Sequence, residues 1–179
     1  MLDNELIKIF RPIILQGFLD YGVGDIEVRQ QYQPTQTGTK KLPVISFFKV
    51  SDVRYGFEER ESYYDPGDLK QKSRETQFYN TVFQISCLAA QDPTDENSLT
   101  ASDLINICAS IMQNNATINL LASNDVYVLR ITDVRNIPFY DDRDQNEFIP
   151  SFDITFKHVQ ERIIDIDYLT SVDGKIYNV

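Results

Sequence analysis

The chain is poor in the residues that most often carry chemistry. Its 179 residues include one histidine, two cysteines, two methionines and no tryptophan. Cys87 and Cys108 are too few for a disulfide framework. Both stand in apolar surroundings, one strand-like and one helix-like, so they read as buried free thiols in a reducing compartment. His158 follows Phe156 in a strand-like run, and no cysteine is near it in sequence. It reads as a structural or surface residue rather than a metal ligand or general base. There is no phosphate-binding glycine loop, nucleophile elbow or zinc spacing, so an enzyme fits poorly and neither cofactor nor metal is expected. Long apolar runs, a signal peptide and a lipidation motif are missing too, so no membrane association is expected and assembly in the cytoplasm is. Basic residues are the minority, 17 against 27 acidic, for a net charge of −10. That balance excludes high-affinity wrapping of DNA, which needs phosphate-neutralising basic clusters. It is compatible with an acidic passage that DNA traverses without sticking.

What the chain does have is ring-bearing side chains, with ten tyrosines and eleven phenylalanines. Such residues favour strands, and tyrosine suits interfaces because it joins an apolar ring to a polar tip. The length fits one domain over residues 1–179 with a sizeable core. Residues 3–19 read as a helix with Leu6, Ile9, Phe10, Ile13, Ile14 and Phe18 on one face, and Pro12 predicts a kink or a shortened first piece. Residues 26–33 form a candidate strand, and 33–42 an exposed polar loop or a long hairpin tip. The run 44–55 is a strong strand with apolar residues on both parities, which implies burial on two faces or a bulge. Residues 56–73 admit two readings: an arm that leaves the domain, turns at Pro66-Gly67 and returns, or a surface loop. In 75–89, Phe83, Ile85, Cys87 and Ala89 alternate with polar residues and form a strand's core face. An acidic connector over 91–99 leads to Thr100 and Asp103, which read as the capping pair of a second helix with Leu104, Ile107, Cys108, Ile111 and Met112 as its stripe. Residues 117–122 fit a short strand or a helical turn equally.

The last third predicts two long antiparallel strands joined near residues 144–146. Tyr127, Leu129 and Ile131 share a face of the outbound strand, and Phe152, Ile154 and Phe156 one face of the return. A further strand is expected over 163–168, and a tight turn at 172–175 leads to a terminal strand. The fold class is α+β: an antiparallel or mixed sheet flanked by two main helices, with a long C-terminal β-hairpin and arms at 56–73 and 135–150. Tyr63, Tyr64, Phe139, Tyr140, Phe148 and Ile149 are the candidate subunit or partner contacts, although Phe139, Phe148 and Ile149 would equally close the apolar end of a hairpin. Asp141, Asp142, Asp144 and Glu147 form either a solvated turn or an acidic lumen or docking surface. They lack the spacing and central glycine of a calcium loop. Lys40, Lys41, Lys70, Lys72 and Arg74 read as solvated loop charges or contacts for acidic partners. Asp165 and Asp167 read as the exposed face of a strand.

Several phrases resemble the tail terminator, or neck terminator, family of contractile-tailed phages. They are Leu42-Pro43-Val44-Ile45-Ser46 opening a strand, the strand at 78–88 running into the helix at 101–113, and above all Val134-Arg135-Asn136-Ile137-Pro138-Phe139-Tyr140-Asp141-Asp142. Phe152-Asp153-Ile154-Thr155-Phe156 and Ile166-Asp167-Tyr168-Leu169 follow. The resemblance implies a non-enzymatic virion protein of the tail neck, assembled in the bacterial host as a ring, usually a hexamer. Such a ring stops tail-tube polymerisation and joins the tail to the head connector. Its implied partners are copies of itself, the tail-tube protein, a head-completion or connector protein and, as a further candidate, the sheath protein. Genomic DNA would pass through the lumen without specific binding. A connector-adaptor protein of the neck is the alternative, and a small soluble binding or enzymatic domain a more distant one.

Overall fold

The computed structural model describes residues 1–30, 43–89, 98–140 and 146–166, with the side chains of 137–140 and 146–148 left aside. Among them are three helices and a six-stranded, mostly antiparallel sheet in an α+β arrangement. Helix α1 (Asp3–Asp20) buries Leu6, Phe10, Ile14 and Phe18. A four-residue spacing keeps these on one side of a helix that turns every 3.6 residues or so. Pro12 does not shorten the helix, which runs through it. Pro12 sits at an exposed position, where the Lys8 carbonyl it strands can turn to water while Phe10 and Ile14 hold the buried side. Gly17 marks a close crossing, since a Cβ there would lie 2.5 Å from Ile111 of α2.

Strand β1 (Glu27–Gln30) pairs in parallel with β2 (Val44–Asp65), which is antiparallel to β3 (Lys70–Leu88). Helices α2 (Ala101–Gln113) and α3 (Asn115–Ala122) follow, then β4 (Tyr127–Ile131), β5 (Arg135–Tyr140) and β6 (Asn146–Ile166). The strand order is β1-β2-β3-β6-β4, and β5 pairs with the opening residues of β6. Thr100 and Asp103 form the expected cap of α2: the Asp103 amide donates to Thr100 Oγ1 at 3.1 Å and the Thr100 amide to Asp103 Oδ2 at 3.0 Å. Asn114 ends α2 and at once caps α3, accepting from the Ala116 amide at 3.0 Å. The segment that fitted strand or helix equally is therefore helical.

All three helices pack on one face of the sheet, against Ile45, Phe47, Phe83, Ile85, Cys87, Phe152, Ile154 and Phe156. Phe10 stands among Phe47, Phe83 and Phe156, with ring centroids 5.0–5.4 Å away. Both cysteines are buried and free, and burial pushes the Cys87 thiol up to about 12 and Cys108 upward as well. On the opposite face Ser46, Ser86 and Ser151 line up across three strands, with Ser46 and Ser86 hydroxyls 2.9 Å apart.

The double parity in β2 reflects burial on both faces from Val44 to Phe47, and bulges follow it. Its register to β3 shifts between Lys49 and Ser51 and again between Tyr55 and Glu59. A third shift corrects the reading of β4. Val128 faces Phe156 and Ile131 faces Ile154, so the bulge at Leu129 turns Val128 and Ile131 to the core and leaves Tyr127 and Leu129 exposed. The return side is one strand, not two: β6 runs unbroken from Asn146 to Ile166. The loops at 33–42 and most of 91–99, the link at 141–145 and everything after Ile166, including the turn at 172–175, lie outside the described residues.

Candidate assembly surface

The core ends at staggered positions on three strands, with Phe47, Thr81 and His158 the last buried residues of β2, β3 and β6. All three strands nevertheless continue. β2 and β3 stay paired out to Asp65 and Lys70, and β6 accompanies β3 as far as Gln71 opposite Ile166. Residues 56–73 are thus the end of a three-stranded antiparallel ribbon. At about 3.4 Å per residue, the part of β3 beyond Asn80 spans roughly 35 Å.

Asp65 closes the hairpin. Its Oδ1 accepts the Gly67 amide at 2.9 Å and its Oδ2 the Lys72 ammonium at 2.7 Å, while Leu69 takes the left-handed conformation at φ 53. Lys72 also reaches Asp68, and these hydrogen bonds raise its pKa and lower that of Asp65. Lys70 meets Asp165 at 2.6 Å, Arg60 meets Glu75 at 3.5 Å, and Arg74 meets Glu61 at 3.9 Å while lying over the Tyr63 ring. Lys157 lies 5.0 Å from the Phe78 ring centroid and 5.9 Å from that of Tyr55. Lys70, Lys72 and Arg74 are therefore internally paired. Exposed pairs of this kind contribute little, so the backbone ladder carries the ribbon.

A polar layer sits at the base of the ribbon. Lys49 bonds Asp3 at 2.7 Å and also Asp52. Burial favours neutral forms of both Lys49 and Asp52, but the hydrogen bonds reverse this, raising Lys49 and lowering Asp52. The Thr81 hydroxyl donates to Asp52 at 2.6 Å and lies 2.8 Å from His158 Nε2. A hydroxyl has one hydrogen, and a carboxylate only accepts, so Nε2 must be the donor to Thr81. That leaves His158 Nδ1 bare, and it has no partner among the described residues. His158 stacks on Tyr79, and Arg54 lies over the far ring. Burial lowers the His158 pKa, aided by the Met1 ammonium, which donates to the Val159 carbonyl at 2.5 Å. A cavity of about 620 Å³ lies against this layer. No group of three or more potential ligands fit to hold a metal occurs among the described residues.

The candidate contact residues fall into two sets at opposite ends of β6. Tyr63 and Tyr64 pair with Lys72 and Gln71, which face Asp165 and Ile166; Tyr63 is half-buried and Tyr64 exposed. Phe139 faces Glu147, Tyr140 faces Asn146, Pro138 faces Phe148 and Ile137 faces the half-buried Ile149 in the β5–β6 ladder. About sixteen residues of β6 separate the sets, roughly 50 Å. Asp141, Asp142 and Asp144 lie outside the described residues.

Sequence reasoning missed Phe57. It is 99% exposed, in a bulge where Gly56 takes φ +75 and Gln77 Nε2 ties down the Tyr55 carbonyl at 3.0 Å. Val50, Val53 and Tyr55 on the same strand are also exposed. A glycine and a phenylalanine embedded in an acidic, strand-forming run were the available signal. The Asp52–Thr81–His158 chain had none, because strand pairing alone brings the three together.

No curated protein matches the chain. The family described as E217 gateway protein gp29 matches residues 5–168, which takes in every helix, the whole sheet and the ribbon. This supports a phage neck protein without specifying a tail terminator. The chain belongs to the E217 gateway protein gp29 family, a family of phage head–tail connecting proteins.

Proposed function

We propose that this protein forms a closed ring at the head-proximal end of the tail, a hexamer as in the terminators it resembles. There it ends growth of the tail tube and joins the tail to the head connector. The observation that carries this reading is the ribbon, which extends past the core with exposed Val50, Val53, Tyr55 and Phe57 on its outer strand. Cyclic rings need two different patches per subunit that complement each other, and a projecting element on one side of a compact core supplies such asymmetry. Tyr63 and Tyr64 serve contacts at one end of β6, and Phe139, Tyr140, Phe148 and Ile149 at the other. Asp141, Asp142, Asp144 and Glu147 face the lumen or a docking partner, where the overall charge of −10 lets DNA pass without adhering. The tail-tube protein lies on one side and a head-completion or connector protein on the other, with the sheath protein as a further neighbour. The work is structural, not catalytic, and needs no cofactor. The family's gateway description favours a second reading, a connector adaptor that joins head and tail without setting tail length.

Cryo-electron microscopy of assembled necks tests the placement: a ring between tube and connector is expected, and absence of the subunit from that junction overturns it. Assembly without this protein separates the two readings. Tails of uncontrolled length are expected of a terminator, whereas tails of normal length that fail to join heads identify an adaptor.

A further inference from the structure

Two apolar features are left without a partner among the described residues. One is Phe57, held out in water by the bulge on β2. The other is a groove of about 440 Å³ between α1 and α3, lined by Ile9, Pro12, Ile13 and Leu120, with Lys8 at its rim. We propose that Phe57 of one copy seats in the α1–α3 groove of the next copy. This inference rests on the ring reading and names its contact.

Knob and groove are separate patches of one subunit. Phe57 stands on β2 in the ribbon, beyond the last buried residues, whereas the groove lies between two helices that pack on the core. A head-to-tail ring contact joins two such different patches. Charge agrees. Glu59, two residues from Phe57, and Lys8 are both exposed, and neither has an ionic partner among the described residues.

Direct strand addition is the competing way to use the β2 edge, and the ribbon is built against it. Two bulges interrupt the β2 edge. Glu59, Glu61 and Asp65 on β2 share a face with Glu161 and Asp165 on β6, so joining the two open edges would crowd acidic groups. A side-chain knob avoids both obstacles. The groove also has room for it, because a phenyl ring fills only part of that volume and leaves space for Glu59 to reach Lys8.

The test uses two full-length chains, Phe57→Cys and Leu120→Cys. The native thiols are buried, so the new ones react selectively. Mixed in the assembled ring and oxidised, they are expected to give a cross-linked dimer that neither forms alone. Phe57→Ala is expected to weaken the ring roughly 30-fold or more, as for a well-buried aromatic anchor. Lys8→Glu and Glu59→Lys should each weaken it, and the double exchange should recover most of the loss. A ring without the cross-link overturns this contact alone, as does cross-linking of Phe57→Cys to a different neck protein on co-assembly. No ring at any concentration overturns the ring reading and this contact together.

Discussion

Phe10 touches three other phenylalanine rings from the middle of α1, so it couples the first helix to β2, β3 and β6 at once. Phe10→Ala should lower unfolding free energy by about 3–5 kcal/mol in urea denaturation, since it removes a large ring from a site with little freedom to collapse. At Gly17 the opposite error is available. Gly17→Ala would force a Cβ against Ile111 and should cost about 1–3 kcal/mol, with Ile111→Val recovering part of it. His158 makes stability depend on acidity. Its folded pKa lies below the ordinary 6.5, so its contribution is fully present above pH 6.5 and is lost as pH falls through the folded value. Asp52 and Asp3 oppose this shift, and the Met1 ammonium favours it. Denaturation midpoints should therefore decline from pH 6.5 toward pH 5, and His158→Gln should flatten that decline.

The elements divide into those held by burial and those held by backbone pairing. The ribbon beyond Thr81 and His158 has no fully buried side chain, so its amides should exchange with solvent by local opening much faster than those of Phe83, Ile85 and Ile154. Hydrogen exchange read by mass spectrometry checks this. A Gly56→Val change should raise ribbon exchange further while the core stays protected, because a β-branched residue is strained at φ +75. This division also explains what was legible in the sequence. The four-residue spacing of α1, the Thr100–Asp103 cap and the alternation of Phe152, Ile154 and Phe156 are each set locally, and each appears as read. The bulges at Val50, at 56–58 and at Leu129 are not local. A bulge reverses which side chains face the core without changing composition, so Tyr127 and Leu129 were read onto the wrong face together with Ile131. That α1 is not shortened at Pro12 has a related reason: the cost of the proline depends on whether the stranded carbonyl meets water, and only the packed helix decides that.

At the scale of the whole molecule, the core that folds and the ribbon proposed to assemble are largely separate. Replacing residues 56–77 by a short Asn-Gly turn should leave a folded monomer whose helical circular dichroism is intact, while ring formation is abolished. Loss of folding in that variant would show instead that the ribbon is part of the core. The family match fits this division, because it spans both parts. For the functional surface the sequence was less informative than for the fold. Tyr63 and Tyr64 could be picked out by residue type, but exposure of Phe57 arises from a backbone bulge, and the groove proposed to receive it lies on two helices far from it in sequence.

β6 belongs to both parts. It pairs with β5 at its first residues, supplies Phe152, Ile154 and Phe156 to the core in its middle, and supports the ribbon at its end. Laid straight, its 21 residues measure roughly 70 Å. A strand clamped by the core at its centre and loaded at both tips behaves as a beam over a fulcrum: force applied to one tip arrives at the other through covalent bonds, with no interface to slip along the way. Strain generated at one end of the subunit thus has a direct mechanical route to the other end within a single chain.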